Sequence, residues 1–172
     1  TGIEDDIEAA LDVAIANHPL DGTRVCTMGS SYGGYSAAML SIRHRDRYRC
    51  VVSLSGLSDL GLFFSASDTG QTRAGRQALE SAVGDPNGDG LRAVSPLYRL
   101  DALTTPLMLV HGTEDPRVDF EHARRLARLL TLAGRPPVVV ALAGEGHGIS
   151  RADHRREVAL GQVVEGMAAA LR

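Results

Sequence analysis

Serine, imidazole and carboxylate are the side chains that together make a strong nucleophile at neutral pH, and this chain carries each of them in a glycine-rich setting. Residues 26–37 read CTMGSSYGGYSA. Within them, Gly29-Ser30-Ser31-Tyr32-Gly33 fits G-x-S-x-G, the spacing that holds a middle serine on a sharp strand-to-helix turn. Only one register fits, because Ser30 has no glycine two residues before it. A serine hydroxyl attacks weakly until a base takes its proton, and histidine is a suitable base near neutrality. A carboxylate behind the imidazole orients it and stabilises its cation. The stretch HGTEDPRVDF offers Asp115, four residues past His111, and AGEGHGIS offers His147 between two glycines. The backbone N–H of Tyr32, at the start of the helix after the serine, is placed to donate to a developing oxyanion.

The other polar candidates read more simply. His111 ends a strand before Gly112 and is expected to be a turn histidine. His18, His44, His122 and His154 lie on or beside helices and are expected to be solvated. Asp119 stands at a helix start, where it caps by default, and Glu114 is expected to point away from Asp115. Residues 85–90, DPNGDG, match the opening of a calcium loop, but Pro96 stands where that loop needs a bidentate glutamate. A polar turn without metal is expected there. Cys26 and Cys50 both fall in strand-like runs and are expected to be buried free thiols.

These groups need a scaffold, and the apolar pattern outlines one. Ile3, Ile7, Leu11 and Ile15 recur every four residues behind Glu4, Asp5 and Asp6, which predicts an amphipathic helix with acids at its positive end. Short apolar strands are predicted at residues 24–29, 50–55, 106–111 and 137–142. Helices are predicted at 33–45, from Phe120 to the stop at Gly134, and at the C-terminus through Val158, Val163, Met167 and Leu171. Between residues 56 and 100 the pattern predicts short helices near 60–66 and 74–83. Near-continuous apolar strands alternating with helices call for a parallel sheet covered on both faces. In such sheets, ligands bind beyond the carboxyl ends of the strands. Ser31, Asp115 and His147 each follow a different predicted strand, so folding brings all three to one edge. Their chain order, Ser then Asp then His, is that of an α/β-hydrolase triad.

The 172 residues suit one domain, residues 1–172, with an ordinary apolar content of 44%. A net charge of −3, with all 18 basic residues arginine and scattered, gives no reason to expect nucleic acid or an anionic membrane as partner. No apolar run approaches the roughly 20 residues of a membrane span.

The strings GSSYGGYSA, SGLSDL, GDP, SPL, PLMLVHGTEDPRV and GEGHG together resemble the catalytic domain of the prolyl oligopeptidase family of serine peptidases, in particular its acylaminoacyl-peptidase and dipeptidyl-aminopeptidase-like branches. The resemblance runs from about residue 3 to the C-terminus, and GHGIS departs from the GHGF common in the family. It implies Ser31 as nucleophile, Asp115 as acid, His147 as base and Tyr32 N–H as an oxyanion donor, with no cofactor. It also implies a second oxyanion donor, a tyrosine hydroxyl upstream of the elbow, together with a preceding β-propeller and several earlier strands. The expected fold is therefore the C-terminal part of an α/β-hydrolase, about four parallel strands flanked by helices, without the early strands and the propeller. The expected activity is cleavage of a peptide or aminoacyl bond through an acyl-enzyme on Ser31. A carboxylesterase using the same triad and a non-catalytic association module are the alternatives. Phe63 and Phe64, after the second strand, are candidates for a substrate pocket. The isolated chain is expected to be weakly active and to self-associate through an unpaired edge.

Overall fold

The computed structural model describes residues 2–86, 88–148 and 154–172, with side chains in the last stretch from residue 157 onward. Four strands form one parallel sheet in the order β1 (Cys26–Ser30), β2 (Cys50–Leu54), β3 (Leu107–Gly112) and β4 (Val138–Leu142). The register pairs Cys26 with Cys50, Val52 with Met108 and Met108 with Val138. The helices are α1 (Gly2–Asn17), α2 (Tyr32–Arg43), α3 (Leu60–Ala66), α4 (Arg73–Val83), α5 (Gly90–Ala93), α6 (Glu121–Leu132) and α7 (His154–Ala170). A 3-10 turn at Pro96–Tyr98 precedes β3.

Alternation along the strands divides the core in two. Val51, Leu107 and Leu109 face one side, where they join Met39 and Ile42 of α2, Phe64 of α3 and Leu126 and Leu130 of α6. Val52, Leu54, Met108 and Val110 face the other, against Ala159 and Val163 of α7. The continuous apolar character of β2 and β3 follows from this, since both of their faces are covered.

Two expectations fail here. The stripe predicted to anchor α1 is not its buried side: Ile3 is 55% exposed and Ile7 39%, whereas Glu4 and Glu8 are buried. The acids are held by α2 and the residues just after it. Glu4 accepts from Ser36 Oγ (2.9 Å), and Glu8 accepts from the Tyr48 hydroxyl and forms an ion pair with the Arg47 guanidinium (2.8 Å). Polar burial of this kind is tolerable because every acid has charged or hydroxyl partners. The cysteines are also not free. Parallel pairing sets Cys26 directly opposite Cys50, with Cα atoms 4.7 Å apart, and they form a disulfide. Sequence gives no register between β1 and β2, so that proximity was invisible.

In the predicted turn, Gly88 N–H donates to Asp85 O at 3.1 Å; Asn87 lies outside the described residues.

Candidate functional site

The serine is set by the junction of β1 and α2. Ser31 has φ 57° and ψ −120°, a conformation that costs a residue with a Cβ some strain. Its N–H donates to Leu54 O of β2 (2.8 Å), and its carbonyl accepts from Gly34 N (3.0 Å) and Tyr35 N (3.2 Å), opening the helix. Glycines make the turn possible by close approach. A Cβ on Gly29 would lie 2.2 Å from Gly33 O, and one on Gly34 would lie 2.7 Å from Ser53 Oγ and 2.9 Å from Gly56 Cα. A Cβ on Gly33 would meet nothing within 4 Å. The motif's last glycine thus lends its backbone to the approach of Gly29. The N–H of Tyr32 belongs to the first turn of α2, whose donors have no intrahelical acceptor, while its ring is exposed and tilted against Tyr35 at 5.5 Å.

Asp115 follows β3 and His147 follows β4, on loops stitched to one another. Thr113 N donates to Leu142 O (3.0 Å), Glu114 N to Glu145 O (2.9 Å) and Gly144 N to Thr113 Oγ1 (2.9 Å). A Cβ on Gly112 would lie 2.3 Å from Glu145 O. Asp115 is 4% exposed. Its Oδ1 accepts from the N–H groups of Arg117 and Val118, both at 2.9 Å, and its Oδ2 accepts from His147 Nδ1 at 2.8 Å. Burial alone would raise the carboxyl pKa, but the neighbouring His111 imidazole and the hydrogen bonds from Val118 N–H and His147 hold it well below the usual range. With Nδ1–H donating to the carboxylate, Nε2 of His147 is the ring's acceptor, and it lies 3.0 Å from Ser31 Oγ. The three side chains picked out in sequence therefore meet in one hydrogen-bonded run, able to draw a proton from the serine hydroxyl.

The remaining candidates separate. Glu114 is exposed, as is His18, and Asp119 caps α6 by accepting from Glu121 N–H at 2.8 Å. The side chain of His154 lies outside the described residues. Phe64 is 2% exposed, a core residue under the Arg76 guanidinium, so it lines no open pocket; Phe63 is half-buried against the same core. Two broad surface grooves lie elsewhere, about 510 Å³ between α1, β1 and α7 and about 440 Å³ between β4 and α7.

Three residues near the site went unrecognised. His122 is not solvated but 1% exposed; its Nδ1 accepts from the N–H groups of Ser58 (3.1 Å) and Asp59 (3.3 Å). Burial, with the neighbouring His111, pushes its pKa down to about 4. Its place in the 3.6-residue period with Leu126 and Leu130 was the available signal. Ser55, at φ 45°, directly follows β2, is buried, and accepts from Gly148 N–H at 3.4 Å. His111 is buried against Asp115 as well as in its own turn.

The family model described as the prolyl oligopeptidase family matches residues 2–164. Dipeptidyl aminopeptidase BIII of Pseudoxanthomonas mexicana is 29% identical over 97% of this chain and 24% of its own length. Inactive dipeptidyl peptidase 10 of Rattus norvegicus is 28% identical over 83% of this chain and 17% of its own. Among solved structures, the acylaminoacyl peptidase of Pyrococcus horikoshii superposes with a TM-score of 0.88 at 23% identity, covering 98% of this chain and 28% of that one. The chain thus spans about a quarter of the length of the first of these relatives.

Proposed function

The chain belongs to the prolyl oligopeptidase family of serine peptidases, and on that premise we propose that residues 1–172 are part of a catalytic domain that cleaves peptide or aminoacyl bonds through an acyl-enzyme on Ser31. Family membership does not by itself carry activity, since one relative is named inactive. The reading rests instead on the run from Ser31 Oγ to His147 Nε2, 3.0 Å, and from His147 Nδ1 to Asp115 Oδ2, 2.8 Å.

In this reading Ser31 Oγ attacks the substrate carbonyl as its proton passes to His147 Nε2, and Asp115 stabilises the resulting imidazolium. The carbonyl oxygen becomes an oxyanion, to which Tyr32 N–H donates. Collapse breaks the C–N bond, with the imidazolium proton going to the departing amine. Water, deprotonated by His147, then attacks the ester on Ser31 and releases the acid. Phe63, half-buried beside the core, is the candidate wall for the acyl side chain. No step calls on a cofactor.

Labelling by a fluorophosphonate tests the assignment, because only an activated serine reacts. In the polypeptide that carries this sequence, Ser31→Ala should abolish labelling and Ser30→Ala should keep most of it. Equal loss from both substitutions would mean a collapsed turn and would sink the assignment. Hydrolysis of a short acyl ester in preference to an aminoacyl anilide would move the activity to a carboxylesterase.

A further inference from the structure

We propose that His111 is a positioning residue for this site, a second imidazole that holds the Asp115 turn and shares its carboxylate oxygen with His147. The inference rests on the reading of Ser31, His147 and Asp115 as catalytic. His111 lies within β3 next to its end and is 2% exposed. Its Nε2 is 2.7 Å from Val118 O and 3.5 Å from Asp115 Oδ2. A carbonyl oxygen only accepts, so Nε2 carries a proton. That N–H ties down the Val118 end of the Asp115–Val118 turn, while Asp115 Oδ1 ties the same turn by accepting from Arg117 and Val118 N–H. The Oδ2 oxygen is thus flanked by two imidazoles, His147 at 2.8 Å in a full hydrogen bond and His111 at 3.5 Å in a longer polar contact.

The His111 ring has little freedom, since Phe120 meets it edge-on with centroids 5.8 Å apart. Among the described residues, His122 is electrostatically coupled to His111 and also to Asp59, Asp119 and Arg125. Glu145 is buried on the His147 loop, and the Arg117 side chain turns outward to Asp68 at 2.8 Å. A histidine that only shaped a turn would need Val118 alone. Placement against the oxygen that orients the base gives His111 a consequence for catalysis.

The test uses the full polypeptide with His111→Phe, His111→Asn and His111→Gln beside the wild type. It reads kcat and KM on an aminoacyl anilide, the pH dependence of kcat/KM, and thermal unfolding. Losing the donor should lower kcat about tenfold, the effect of one ordinary hydrogen bond, with KM changed by less than about twofold. The acid limb of kcat/KM should move to lower pH, because the His147 cation loses alignment with its carboxylate. Gln, whose amide can reach Val118 O, should restore most of both, and Asn, one bond shorter, should not. The Asn–Gln comparison decides the matter if the Phe variant does not fold. Unchanged kcat and acid limb in Phe and Asn overturn the proposal, as does a loss that only tracks the folded fraction with Gln no better than Asn. A wild-type protein that takes no fluorophosphonate at Ser31 refutes the catalytic reading of the site instead.

Discussion

Replacing Asp115 with Asn exchanges an oxygen for an amide nitrogen of nearly the same size, so its effect isolates charge and hydrogen-bond direction. Two backbone N–H groups, of Arg117 and Val118, point at Oδ1 from 2.9 Å, and His147 Nδ1–H points at Oδ2 from 2.8 Å. An amide has one oxygen for these donors. The backbone donors are fixed by the turn, so the oxygen stays with them and the NH₂ faces His147. The imidazole must then present an unprotonated Nδ1, which places its proton on Nε2, opposite Ser31 Oγ at 3.0 Å. The serine loses its proton acceptor. The wrong tautomer costs about 10⁴ in kcat, or roughly 5.4 kcal/mol at 1.36 kcal/mol per decade. Stability should fall by less, about 1.5–3 kcal/mol, the worth of hydrogen bonds to a charged group. Turnover of an aminoacyl anilide and the rate of fluorophosphonate inactivation measure the first quantity, and urea unfolding the second. A variant that folds normally and loses less than about tenfold in kcat would refute the tautomer argument.

Gly29→Ala, whose Cβ would fall 2.2 Å from Gly33 O, should destabilise by about 1–3 kcal/mol and abolish labelling, whereas Gly33→Ala, with nothing within 4 Å of its Cβ, should leave stability unchanged or higher; equal effects in unfolding experiments would contradict the packing account. Stability should fall as pH drops from 6.5 to about 4, because unfolded His122 takes up a proton that the buried ring refuses, and the integrated loss is roughly 3 kcal/mol. Asp115, held below its ordinary 3.8, extends the loss below that pH, since its contribution is present above 3.8 and disappears as the folded carboxylate is protonated; a urea midpoint constant from pH 7 to 4.5 would exclude the His122 part. The Cys26–Cys50 disulfide closes a separation of 24 residues, and Cys26→Ser should cost about 3 kcal/mol. Two alkylatable thiols per chain in the unreduced, denatured protein would overturn that bond.

The strands and helices that carry the site were legible because period and punctuation agree locally. β1, β2, β3 and β4 fall within a residue or two of the predicted runs, and the glycine spacing of the elbow reports a backbone approach that the structure contains. What failed depends on partners distant in sequence. The four-residue recurrence of Ile3, Ile7, Leu11 and Ile15 marks an apolar face of α1 but cannot say which face meets α2. Ser36, Arg47 and Tyr48 turn Glu4 and Glu8 inward. The disulfide needed the β1–β2 register, and the buried state of His122 needed the Ser58–Asp59 turn that its Nδ1 accepts from. Phe63 and Phe64 show the same limit, since adjacency put both in one class while the helix turned one into the core.

Among the described residues, Ser31 and Ser55 are the non-glycine positions with positive φ, and they follow adjacent strands whose last paired residues are Ser30 and Leu54. Each such conformation costs on the order of 1–3 kcal/mol unless the surroundings hold it. Here the sheet does the holding. Ser31 N–H donates to Leu54 O and Ser55 N–H to Val110 O, both at 2.8 Å, so the hydrogen bonding of the sheet runs one residue past each strand end, into the strained position. Ser55 Oγ then accepts from the N–H that follows His147, at 3.4 Å. The serine and the base loop are therefore both referred to the carboxyl edge of β2 and β3, and Asp115 leaves that same edge. The distances of 3.0 and 2.8 Å along the run depend on how closely the strands and α2 approach beneath it, through Gly29, Gly34, Gly56 and Gly112. Substitutions at these glycines should therefore disturb the chemistry more than changes to the exposed side chain of Glu114.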